Sequence, residues 1–124
     1  MSNKQGKIWG ETTAIIETPH ISIHYLDIKK GGYCSEHCHE RKNNFFYVIE
    51  GDLMVITYRD NNNCRKIKDI TLLTAGKEMN IEPGLFHQFK AETDVKCMEI
   101  YTVGELSEDI IRRSQGGLKK YHER

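Results

Sequence analysis

Apolar and polar positions alternate along most of this chain in short runs separated by glycine, proline, asparagine or aspartate. Ile21, Ile23 and Tyr25 alternate with Ser22, His24 and Leu26, and Phe45, Tyr47 and Ile49 alternate with Phe46, Val48 and Glu50. Successive side chains of a strand point to opposite faces, so this period of two predicts strands over 11–17, 21–29, 45–50, 53–58, 64–70 and 95–103. A further strand follows Pro83-Gly84, and 71–76 leads towards that turn. Pro19, Gly31-Gly32, Gly51-Asp52 and the Asp60 to Asn63 tip are the breaks between runs, and the charged stretch 40–44 reads as a loop. Many short strands with turns between them predict an all-β barrel or sandwich. Which face of the 45–50 strand is inside stays open, because both alternating sets are largely apolar.

The ends differ from the middle. Residues 1–7 are polar and read as a disordered N-terminus, with Trp9 as the anchor where the ordered chain begins. Ser107 is a plausible N-cap, Glu108 and Asp109 follow it and Arg112 and Arg113 come a turn later, an order that predicts a short helix stopped by Gly116-Gly117. The remainder, LKKYHER, is a solvated basic tail. At 124 residues the expectation is one domain, a barrel over 8–104 with 105–124 as short helix and tail.

Lysine plus arginine equal aspartate plus glutamate at 18 each, so no overall basic field favours nucleic acid. Neither a long apolar run nor a charged-then-apolar leader is visible, which predicts a cytoplasmic protein with no membrane partner. In that compartment Cys34, Cys38, Cys64 and Cys97 are expected to be reduced thiols, and no paired CxxC spacing suggests thiolate zinc.

The stretch Gly31 to Gly51 carries the chemistry. In extended chain His37 and His39 project to the same side about 6 to 7 Å apart, close enough to share an ion, while Cys38 points away. His87 follows Pro83-Gly84 at the start of a new strand, and two strands suffice to bring the three imidazoles together. Phe89 shares the face of His87 and is expected to line the pocket. Arg41 and Lys42 stand beside the histidine pair, where guanidinium and ammonium suit a phosphate or carboxylate.

This spacing resembles the two motifs of the cupin superfamily. Gly31, His37, His39 and Gly51 fall in the first motif, and Gly76, Gly84 and His87 in the second. Asn44 stands where that first motif has a glutamate, Glu82 where the second has a proline, and Ala91 where it ends in asparagine. The resemblance implies an all-β cupin double-stranded β-helix, or jelly-roll barrel, holding one divalent metal ion on His37, His39 and His87 with Asn44 nearby. The neutral amide of Asn44 favours zinc, nickel or iron over manganese. The resemblance also implies a homodimer, for which Ile8-Trp9 and Ile15-Ile16 supply apolar material.

Trp9-Gly10 and the segment GELSEDIIR further resemble the cupin half of type II mannose-6-phosphate isomerases, although that family has glutamine at the position of His37 and glutamate at that of Asn44. What this second resemblance implies is isomerisation of a small polar anion such as a sugar phosphate, with a metal polarising the carbonyl and a base moving the proton. Glu82, His24 and Glu40 are the candidate bases. Two rivals stand beside it: a three-histidine iron dioxygenase, which Asn44 makes the chain resemble at that point, and a metabolite-binding cupin without turnover.

Overall fold

A computed structural model describes residues 4–61, 64–104 and 109–119. Among the described residues nine strands run β1 (Lys4–Lys7), β2 (Gly10–Glu17), β3 (Ile21–Ile28), β4 (Asn43–Glu50), β5 (Leu53–Asn61), β6 (Cys64–Leu73), β7 (Glu78–Ile81), β8 (His87–Ala91) and β9 (Val95–Thr102). They form a six-stranded sheet in the order β1-β2-β3-β9-β4-β7 and a three-stranded sheet in the order β6-β5-β8, antiparallel throughout. The all-β expectation of two facing sheets holds.

The sheets face each other across one core. Leu26 and Ile28 of β3, Phe46 and Val48 of β4, and Val95 and Cys97 of β9 meet Leu53, Val55, Phe89 and Ala91 from the smaller sheet. Each such aliphatic side chain removed from water contributes about 1.5 to 3 kcal/mol, so this inner layer supplies the main driving force of the fold. The face of β4 left open by its pattern is thereby decided: Asn44, Phe46 and Val48 point inward and are buried, whereas Tyr47 is exposed. Neighbours in register decide it, since Phe46 pairs with Met79 and Glu99, and Val48 with Cys97.

Several elements depart from their sequence signals. Lys4–Lys7, expected to be frayed, is a strand held by backbone pairing from Lys4↔Thr13 to Lys7↔Gly10. Its side chains are exposed and carry no hydrophobic pattern to reveal it. Strand β4 begins at Asn43 rather than Phe45, because β9 and β7 pair with Asn44 from its two sides. Strand β5 runs on to Asn61 through a register shift at Thr57/Tyr58, so the polar tip is shorter than expected.

No helix is present among the described residues, and none is long and apolar enough to cross a membrane. The Ser107 cap expected for a C-terminal helix lies outside the described residues, while Asp109 to Arg113 are described and not helical. Ile111 is 95% exposed, so no apolar face docks on the barrel. A helix this short has little stability without such packing.

Candidate metal centre

The HXH segment lies outside the named strands, yet its backbone is pinned to β8. His37 N donates to His87 O at 3.1 Å and His87 N donates to His37 O at 2.8 Å, an isolated antiparallel bridge that sets the two residues directly opposite each other. Directly opposed residues project to the same face, and two residues on His39 returns to that face. A second tie fixes the end of the segment, where Gly84 N donates to His39 O at 2.7 Å. The turn at Pro83-Gly84 thus holds both ends of the triad, and ring centroids stand 4.5 Å (His37–His87), 5.1 Å (His37–His39) and 5.5 Å (His39–His87) apart.

One ligand nitrogen from each of His37, His39 and His87 lies within 4.8 Å of the other two, as the spacing predicted. Three features fit a cation. His39 Nε2 is buried without a hydrogen-bond partner, a costly state for a polar atom that an ion would relieve. His37 Nδ1 and His87 Nδ1 lie 2.7 Å from Ser35 O and 2.9 Å from Leu85 O, backbone contacts that orient the rings and leave Nε2 for a ligand bond. Burial pushes the pKa of His87 down to about 4, and burial with His37 and Lys42 nearby also lowers that of His39, so both are neutral imidazoles near pH 7 as metal ligation requires.

Asn44 is fully buried beside the triad. Its Oδ1 is 3.0 Å from His87 Nε2, and its Nδ2 donates to Glu99 Oε2 at 3.3 Å. A neutral His87 donates from one nitrogen only, to Asn44 Oδ1 from Nε2 or to Leu85 O from Nδ1, and the Nδ1–H tautomer is the one that leaves Nε2 for an ion. Behind Asn44 stands Glu99, which the sequence reading missed. Burial raises its pKa, against the opposing pull of hydrogen bonds from Asn44 and Tyr101 and of His24 and His37. Glu99 had a visible signal: it shares its parity on β9 with Val95 and Cys97, a carboxyl on the face that buries both.

A cavity of about 830 Å³ opens beside the triad, with His37, Ser35, His24, Glu99 and Tyr101 among its polar lining and Trp9, Leu26 and Phe89 among its apolar walls. Phe89 lines it as expected and packs edge-to-face on Trp9 and Phe46. Of the three expected bases only His24 is there, its Nε2 2.7 Å from Ser22 Oγ and its ring against Tyr101. Glu82 and Glu40 are exposed and do not line this cavity. Nor do the exposed Arg41 and Lys42, although Lys42 Nζ lies 5.1 Å over the Tyr101 ring, which also meets His39. The cations on the cavity wall are Lys4 and Lys7 of the unforeseen β1.

Cys34, Cys38 and Cys97 are free thiols. Burial pushes Cys34 up to about 11 and Cys97 up to about 12, so neither is a thiolate near neutrality.

Solved structures share this architecture at low identity. KdgF from Halomonas sp. superposes with TM-score 0.68 at 17% identity, over 82% of this chain and 88% of that one. An RmlC-like cupin from Shewanella frigidimarina gives 0.67 at 19%, over 83% and 85%. The oxalate decarboxylase of Lactobacillus farciminis, in its formate complex, gives 0.68 at 17%, over 86% of this chain but 32% of that longer one. No curated protein matches in sequence. A family model described as Cupin matches residues 7–116, and together with the two-sheet barrel it shows that the chain belongs to the cupin family.

Proposed function

We propose that this cupin is a metal-dependent enzyme acting on a small polar anion by proton transfer, with isomerase-like chemistry on a sugar phosphate or related hydroxy-carbonyl compound. The observation that carries the reading is a half-buried carboxyl, Glu99, that lines the same cavity as His37 of the three-histidine cluster. His37, His39 and His87 would hold a divalent ion, which supplies Lewis-acid polarisation of a carbonyl and its neighbouring hydroxyl. Glu99 is better suited as the base than Glu82 or Glu40, since burial makes its carboxylate more basic and the cavity gives it access. In an aldose-ketose exchange Glu99 takes the proton from the hydroxyl-bearing carbon and returns it to the former carbonyl carbon, while the hydroxyl proton passes to the carbonyl oxygen. His24 and Tyr101, which line the cavity, would hold those oxygens, and Lys7 of the same lining would meet an anionic group.

Thermal-shift measurements on metal-loaded protein with sugar phosphates and small carboxylates, followed by proton NMR in deuterium oxide, test this reading. The expected result is stabilisation by an anion and exchange of its carbon-bound proton, with Glu99→Gln retaining binding and losing exchange at least tenfold. Stabilisation without exchange would favour a binding protein. Oxygen consumption with iron-loaded protein and a stabilising ligand would favour the dioxygenase, the reading to which the neutral Asn44 points.

A further inference from the structure

A second cavity, of about 740 Å³, adjoins the first and shares Lys7, Trp9, Cys34 and Ser35 with it. Small-molecule sites occupy about 300 to 1,000 Å³, so it is large enough for a ligand of its own. None of the three histidines lines it, nor does Glu99 or Tyr101, and the metal centre therefore does not account for it.

The turn after β3 builds one wall. Lys29 N donates to Trp9 O at 2.9 Å, Gly32 N to Lys29 O at 2.7 Å and Gly31 N to Ala91 O at 2.8 Å, which ties the turn to Trp9 on one side and to β8 on the other. A Cβ on Gly32 would stand 2.9 Å from both Trp9 Cβ and Trp9 O, so a residue without one is what lets the tryptophan lie this close. Gln88 fixes the stretch that follows: its Nε2 donates to Cys34 O at 2.8 Å, and its Oε1 accepts from the Tyr58 hydroxyl at 3.1 Å. A wall held in this way loses little entropy when a ligand arrives.

Two kinds of side chain meet there. Lys7, Lys29 and Lys30 bring three cations, no acid stands in the lining, and among the described residues none of the three lysines forms an ion pair. Asp27 and Asp94 line a neighbouring groove that shares Lys29 and Lys30, not this cavity. In a chain whose 18 bases and 18 acids balance, a concavity of one sign concentrates anions locally. The remaining wall is apolar, with Trp9 beside a fully exposed Ile8 and a Tyr33 that is 63% exposed. Apolar side chains left in water around a concave surface mark a place where something binds.

We infer that this cavity is a second ligand site, which takes a small aromatic anion with its ring beside Trp9 and Tyr33 and its phosphate or carboxylate among Lys7, Lys29 and Lys30. Ammonium groups hold such an anion as point charges through charge-assisted hydrogen bonds. A neutral ring would forgo those bonds, and a bare inorganic anion would leave the apolar wall in water.

Trp9 is the only tryptophan of the chain and lines the cavity, so its fluorescence reports occupancy. Phenyl phosphate titrated into the full metal-loaded chain is expected to change Trp9 emission saturably at millimolar concentration or below, with phenol and inorganic phosphate at least tenfold weaker. Trp9 also borders the first cavity, and Lys29 and Lys30 do not. Lys29→Gln/Lys30→Gln, at two exposed positions, is therefore expected to weaken phenyl phosphate at least tenfold with unchanged metal content and circular dichroism. Tyr33→Ala should narrow the preference for phenyl phosphate over inorganic phosphate, and His37→Ala/His87→Ala should bind phenyl phosphate like the wild type. No saturable response, phenol binding as tightly as phenyl phosphate, or a lysine variant that binds like the wild type would overturn the assignment. So would loss of binding in the histidine variant alone, which would place the ligand at the metal. A Trp9 spectrum that shifts with protein concentration in the absence of ligand would give the cavity to a second copy of the chain and overturn it as well.

Discussion

At the residue scale His87 of the triad and the neighbouring Glu99 act on stability in opposite directions. His87 stays neutral in the folded protein down to about pH 4, whereas its unfolded imidazole takes a proton near 6.5. Between those values the unfolded chain binds more protons, so metal-free protein loses stability as pH falls from about 6.5 to about 4, by roughly 3 kcal/mol for this group. Glu99, raised by burial, keeps its proton where an unfolded glutamate has lost it, so its contribution falls as pH rises above the unfolded value of 4.5. Urea unfolding of metal-free protein between pH 4 and 8 should therefore show that His87→Gln removes part of the acid-side loss, and that Glu99→Gln raises stability at pH 8 more than at pH 4. Identical slopes in wild type and variants would contradict this account of the two side chains.

At the element scale the turns place the site. Gly51 closes the hairpin between β4 and β5 with φ of +90°, and a Cβ there would meet Asp94 O at 2.1 Å. Gly76 has a similar φ of +85°, but nothing lies within 4 Å of its Cβ position. Gly51→Ala should thus cost the backbone strain plus a steric clash, about 3 kcal/mol or more, and Gly76→Ala about 1 kcal/mol from strain alone. Thermal melts of the two variants check this, and equal losses would refute the steric part. Elements with alternating apolar residues were legible in the sequence because burial dictates that alternation. Strand β1 was not, since Lys-Gln-Gly-Lys pairs only through its backbone, and neither was the start of β4, where Asn43 and Asn44 look like loop until β7 and β9 flank them. The three histidines were legible because ligand geometry constrains their spacing. Glu99 was readable from its parity with Val95 and Cys97 on β9, whereas the lysines of β1 reach the cavity only through sheet order, which local sequence does not encode.

At the scale of the whole molecule, the barrel builds its core and its candidate site in the same interior. The space between the sheets holds the core together with the triad and its cavity. The central claim is the metal centre, and elemental analysis of protein purified without chelator tests it most directly. Wild type should carry about one divalent ion per chain, as expected of three histidines converging on one position, and the His37→Ala/His87→Ala double variant should lose it while keeping its β-sheet spectrum. Equal, sub-stoichiometric metal in the two proteins would contradict the account.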